Sequence, residues 1–146
     1  KKGVLASSDA VLPLGYVNLG TFRHDFMLVD LALRLEAETG GNFIPDRRIR
    51  HDEGLSGVGH LRHIPDGYLH IEGEKPIAVE LELSVKSRAR IQDIIHGYGG
   101  NLRIKEVWYY TDNKEVVRAI EKAAAGFSFI KVKQFTSTIN LKGVAA

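Results

Sequence analysis

The chain has no cysteine, one methionine, one tryptophan and four prolines among its 146 residues. Without thiols it can form no disulfide, thiolate zinc site or cysteine nucleophile, and the absence fits a reducing cytoplasm. No apolar run approaches the roughly 20 residues of a membrane helix. The first residues also lack the charged region, apolar region and cleavage pattern of a signal peptide. Gly54, Gly57 and Gly59 open no P-loop or dinucleotide turn, which argues against nucleotide cofactors. There is no Gly-x-Ser-x-Gly elbow for a serine hydrolase. The six histidines form no helical His-x3-His or His-Glu-x-x-His pair, so zinc finds no ready ligand set.

What is present is an ordinary globular composition, 44% hydrophobic and 26% charged, at a length that fits one domain. Residues 1–20 read as an irregular lead-in, and residues 21–146 as the domain. The chain does not start with methionine, and its one methionine is Met27, which points to a fragment of a longer protein. The net charge of +2 is uninformative, but its distribution is not. Arg47, Arg48 and Arg50 form one basic cluster, and Lys86, Arg88 and Arg90 another. Such clusters are usually solvated surface; around an acidic centre they would suit phosphate binding.

From Thr21, a plausible N-cap, Phe26, Val29, Leu33 and Ala37 recur at helical spacing, with Leu28, Leu31, Ala32 and Leu35 widening the stripe. Gly40 and Gly41 stop this helix. Residues 43–51 read as a strand with Pro45 at an edge or end. Two further strand-like runs, 62–71 and 76–84, flank the turn-rich Glu72-Gly-Glu-Lys75. Residues 85–98 read as a helix, 106–111 as a strand, 113–125 as a helix capped by Asp112 or Asn113, and 127–135 as a last strand. The order α-β-β-β-α-β-α-β predicts a three-layer α/β/α sandwich around a mixed central sheet.

The central hairpin carries the chemistry. Ile77, Val79, Leu81 and Leu83 alternate with Ala78, Glu80, Glu82 and Ser84, while Leu69 and Ile71 alternate with Asp66, Tyr68 and His70. If both apolar sets share one buried face, a turn centred on Gly73 sets Asp66 directly across from Glu80. The next permitted register sets it across from Glu82. Carboxylates about 5 Å apart repel each other, and burial pushes at least one towards its neutral form. A hard cation resolves the conflict, with Asp66 and Glu80 as primary ligands and the Leu81 main-chain carbonyl as a third. The plain alternative is a half-exposed sheet with an acidic outer face, but the helix that follows covers part of that face and makes unpartnered acids costly.

Ile64-Pro-Asp66-Gly, thirteen intervening residues and Glu80-Leu-Glu82 resemble the PD-(D/E)xK nuclease superfamily. Within it, the stretches around His24–Leu35, Ile64–Leu69, Ile77–Gln92 and Gly97-Tyr98 look most like plasmid replication-relaxation and mobilisation proteins. The resemblance covers roughly residues 22–111 and implies a restriction-endonuclease-like core, α-β-β-β-α-β. It further implies a cytoplasmic, Mg²⁺- or Mn²⁺-dependent DNA endonuclease or nicking domain of a bacterial mobile element. Such a domain would be tethered to an N-terminal winged helix in the full-length protein; a homodimer stays open. An alternative is a nuclease fold kept only for DNA binding or assembly; another is a protein-interaction domain with a chance acidic sheet.

Carried over residue by residue, Asp66, Glu80, Glu82 and Lys86 are the catalytic set, and Asp66, Glu80, the Leu81 carbonyl and Glu82 the metal set. Glu36 stands where many members place a further acid, though an exposed helix charge is an equal reading. Glu82 departs from the usual lysine. Some restriction endonucleases of the superfamily also use Glu there, and Lys86 could replace the missing ammonium. Arg48, Arg50, His63, Arg88, Arg90 and Gln92 are the expected DNA contacts. Tyr98 and His24 read better as packing or capping residues.

Overall fold

The computed structural model describes residues 21–52 and 63–138. The amphipathic run coils into α1, Phe22–Thr39, and Gly40-Gly41 turns the chain into β1, Asn42–Pro45. Proline offers no N–H to a ladder, and the strand ends there instead of continuing to His51. Asp46–Asp52 instead form a short helix, α2. Arg48 and Arg50 pair at helical spacing with Asp52 and Asp46, and Ile49 is the segment's buried residue.

β2, Gly67–His70, and β3, Ile77–Leu81, make an antiparallel hairpin, each strand shorter than its sequence pattern suggested. Gly67 pairs with Val79 and Leu69 with Ile77. One step further along this register, Asp66 faces Glu80. Two glycines hold it. Gly73 turns the chain at φ 77°, a region that side-chain-bearing residues avoid. At Gly67 a Cβ would lie 2.2 Å from the Phe43 ring of β1, so any side chain would force the two strands apart.

The chain continues through α3, Arg88–Gly99, β4, Val107–Thr111, α4, Lys114–Ala123, and β5, Ile130–Gln134. The Ser87 hydroxyl caps α3 by accepting from the Arg90 N–H, and Asn113, not Asp112, caps α4 through the Glu115 N–H. The result is an α/β fold with a five-stranded mixed sheet and four helices among the described residues. Strand order follows the sequence, antiparallel from β1 to β3 and parallel from β3 to β5.

Central position explains why all five residues of β3 are buried. Ile77, Val79 and Leu81 join Leu69, Phe43 and, from α1, Met27, Leu31 and Leu35 in one apolar cluster. Ala78 belongs to a second, with Ile91, Ile95 and Tyr98 of α3 and Val116 and Ile120 of α4. Each fully buried aliphatic side chain stabilises the fold by about 1.5–3 kcal/mol. The buried face of α1 is not the one centred on Val29 and Leu33, which are 57% and 62% exposed. That helix carries more apolar residues than one sheet face covers. No helix among the described residues is long and apolar enough to cross a membrane.

Candidate metal centre

Asp66 sits one residue ahead of β2, and its Oδ2 accepts the Leu81 N–H at 2.7 Å, extending the hairpin through a side chain. The same oxygen lies 3.3 Å from His24 Nε2, and that nitrogen lies 3.0 Å from the Leu81 carbonyl. His24 is delivered by the first turn of α1. Its hydrogen bond and charge interaction with Asp66 outweigh burial and raise its pKa from 6.5 to about 9. At neutral pH one cationic N–H group therefore stands against two oxygens expected to serve a metal.

Glu80, on β3, is 5% exposed. Its Oε1 accepts from the Tyr98 hydroxyl of α3 and, at 2.5 Å, from His63 Nε2. Burial raises the Glu80 pKa above the usual carboxylate value, and nearby Asp66 adds to this; His63 and Tyr98 act in the opposite sense. Burial and Glu80 likewise push the Tyr98 hydroxyl upward, so it remains a donor. Glu82 lies just past β3, where its N–H still bonds the Tyr110 carbonyl at 2.9 Å. Its carboxylate pairs with the Lys86 ammonium. Lys86 precedes the Ser87 cap instead of starting the helix.

These groups line an open cleft of about 1310 Å³. Asp66, Glu80, Leu81 and Glu82 form part of its wall; Arg23, Lys86, Arg90 and Arg103 also line it. Arg50 reaches the cleft although it pairs with Asp46. Arg48, held by Asp52, does not line it, and neither do Arg88 and Gln92. Glu36 is also elsewhere: its carboxylate accepts the Phe43 N–H at 2.8 Å and ties α1 to β1.

Two contacts went unforeseen. His24 had read as a capping or packing residue, but it shares the α1 face of Met27 and Leu31, three and seven residues on. A histidine on a buried stripe was the available signal. Tyr98 is core, as its phase with Ile91 and Ile95 indicated, yet a buried hydroxyl needs an acceptor, and it takes Glu80.

Among the described residues no three His, Asp or Glu side chains converge as a ready metal cage. The donor chemistry nevertheless suits a hard cation: carboxylates and a peptide carbonyl on adjacent strands, facing open solvent. A cationic nitrogen already lies against Asp66 and Leu81. Comparison with family models, with curated proteins and with solved structures finds no match to this chain.

Proposed function

We propose that the chain is a divalent-metal-dependent DNA phosphodiesterase, an endonuclease or nicking domain. The observation that carries this reading is the Asp66–Glu80 pair, set across adjacent strands in the wall of a cleft with arginines on its rim. With α1 on one sheet face and α3 and α4 on the other, the fold reads as a three-layer sandwich with a restriction-endonuclease-like core. That supports the resemblance to PD-(D/E)xK nucleases of plasmid replication and mobilisation, working in the cytoplasm.

Asp66, Glu80 and the Leu81 carbonyl would hold the ion. Bound there, Mg²⁺ or Mn²⁺ supplies an activated water and offsets the charge that builds up as phosphorus is attacked. The chain's own groups have separate tasks. His63 and Tyr98 fix the Glu80 rotamer. Arg50 and Arg90 hold the phosphate backbone at the cleft. Glu82 accepts the proton of the attacking water or helps to hold a second ion, and Lys86, paired with Glu82, brings a cation near the position of the family's usual lysine.

A second reading is a nuclease fold kept for DNA binding or assembly. It is favoured by the engagement of Asp66, Glu80 and Glu82 with internal partners. Titration with Mg²⁺ or Mn²⁺ during thermal melting, followed by a supercoiled-plasmid nicking assay, separates the two. Nicking by the wild type but not by Asp66→Asn or Glu80→Gln supports the enzyme. A metal-induced melting shift with no nicking supports the second reading. The absence of both removes the metal centre.

A further inference from the structure

We propose that Leu102 is a wedge residue that inserts between base pairs of duplex DNA held in the cleft; the inference rests on the DNA reading above. Leu102 is the most exposed of the large apolar side chains described, at 82%. Isolated apolar residues on a surface are ordinary, so exposure alone carries nothing. Two further observations do: where Leu102 stands, and how firmly it is held.

Leu102 occupies the turn between α3 and β4, and its chain neighbours Asn101 and Arg103 both line the cleft that contains Asp66 and Glu80. The loop is braced from several directions. The Asn101 N–H bonds the Tyr98 carbonyl at 2.9 Å, and the Asn101 side chain accepts the Arg103 N–H at 3.1 Å. From the β2–β3 turn, Lys75 donates to the Leu102 carbonyl at 3.0 Å. The Lys105 N–H bonds the Pro76 carbonyl at 2.9 Å, and the Lys105 ammonium pairs with Glu74. The Leu102 backbone is therefore fixed to the hairpin that carries Glu80, while its side chain meets solvent.

The surroundings select the partner. Lys75, Arg103 and Lys105 make the vicinity of Leu102 cationic, and Asn101 adds an amide. A protein hot spot places an aromatic or apolar anchor within a contiguous packed patch; this leucine stands among cations. An apolar wedge flanked by Arg, Lys and Asn is how minor-groove proteins unstack a base step while gripping the backbone. Unstacking beside the carboxylates would bend the duplex towards the cleft and open the backbone to attack, so the predicted ligand is double-stranded DNA.

The test uses the full chain with Ca²⁺ replacing Mg²⁺ and a panel of duplexes, each carrying one 2-aminopurine at a different step. Wild type should raise the fluorescence at one step or a short run of steps. Leu102→Ala should abolish the rise and weaken duplex binding about 10-fold, equivalent to about 1.4 kcal/mol, leaving single-strand binding and the melting temperature unchanged. Leu102→Met should restore the rise. Duplex binding with no fluorescence rise, or Leu102→Ala matching wild type in both readouts, overturns the wedge and leaves the DNA reading standing. Wild type that binds no duplex overturns both. A change of oligomeric state in Leu102→Asp without DNA assigns the residue to a protein contact and also overturns the wedge.

Discussion

Two buried carboxylates, Asp30 on α1 and Glu80 on β3, are nearly equal in exposure, at 7% and 5%, and opposite in condition. Asp30 accepts from the Ser137 hydroxyl at 2.7 Å, the Thr138 N–H at 3.0 Å and the Arg34 guanidinium. Burial raises its pKa, but these donors together more than reverse the effect and hold it below the usual value. Glu80 has two donors, His63 and Tyr98, on a single oxygen, and burial prevails. The first acid is a clasp between α1 and the segment after β5. The second is poised for a cation that its own surroundings do not fully supply. Depth of burial thus says little about role; the balance between donors and desolvation says more.

The largest expected effect would break this comparison if it failed. Asp66→Asn and Glu80→Gln should each lower plasmid nicking by about 10²–10³-fold, the usual cost of losing a group that stabilises transition-state charge. Both should also reduce the metal-induced rise in melting temperature. Asp30→Asn should leave the metal response intact. Equal loss of nicking in a folded Asp30→Asn protein would show that the two acids do not differ in kind.

Stability should respond the other way round. Asp30→Ala strands the Ser137 hydroxyl, the Thr138 N–H and Arg34, and bonds to a charged partner are worth about 1.5–3 kcal/mol. The expected drop in melting temperature is about 5–10 °C. Because the folded pKa of Asp30 is depressed, its contribution is complete above the unfolded value of 3.8 and fades as pH falls through the folded value. The melting gap between wild type and Asp30→Asn, followed by calorimetry, should therefore close in acid.

How much of this could be read from the sequence depends on which physical rule applies. Hairpin register obeys a period of two and a glycine turn, so Asp66 opposite Glu80 followed from parity alone. α2 was hidden because seven residues with Ile49 as their one buried member display no period. The stripe of α1 was misplaced because Val29 and Leu33 are as apolar as the residues that pack, and only the width of the sheet decides between them. Which arginines reach the cleft depends on local pairings, such as Arg48 with Asp52, which have no signature beyond ordinary helical spacing. Glu36 illustrates the same limit: its acid type suited a metal, but its position made it the partner of the Phe43 N–H.

A smaller effect sharpens the comparison from the Glu80 side. Facing carboxylates cost roughly 0.2–1 kcal/mol, so Glu80→Gln without metal should raise the melting temperature by about 2–4 °C at neutral pH. The folded pKa of Glu80 is raised, so the penalty is full above that value and vanishes as pH falls towards the unfolded 4.5. The gain should shrink in acid. Asp30→Asn differs in sign, because it lowers stability at neutral pH.

The smallest effect concerns His24, and its sign is that of a stabilised cation. Its folded pKa of about 9 exceeds the ordinary 6.5, chiefly through the hydrogen bond to Asp66. The contribution is therefore complete below 6.5 and lost as pH rises through about 9. In EDTA, wild type should melt roughly 2 °C above His24→Gln at pH 6, and the two should converge by pH 10. With saturating Mg²⁺ the gap should narrow even at pH 6, because an ion on Asp66 and the Leu81 carbonyl takes over the role of the imidazolium. A gap that ignores both pH and metal would make His24 a packing residue and remove the cation from between those two oxygens.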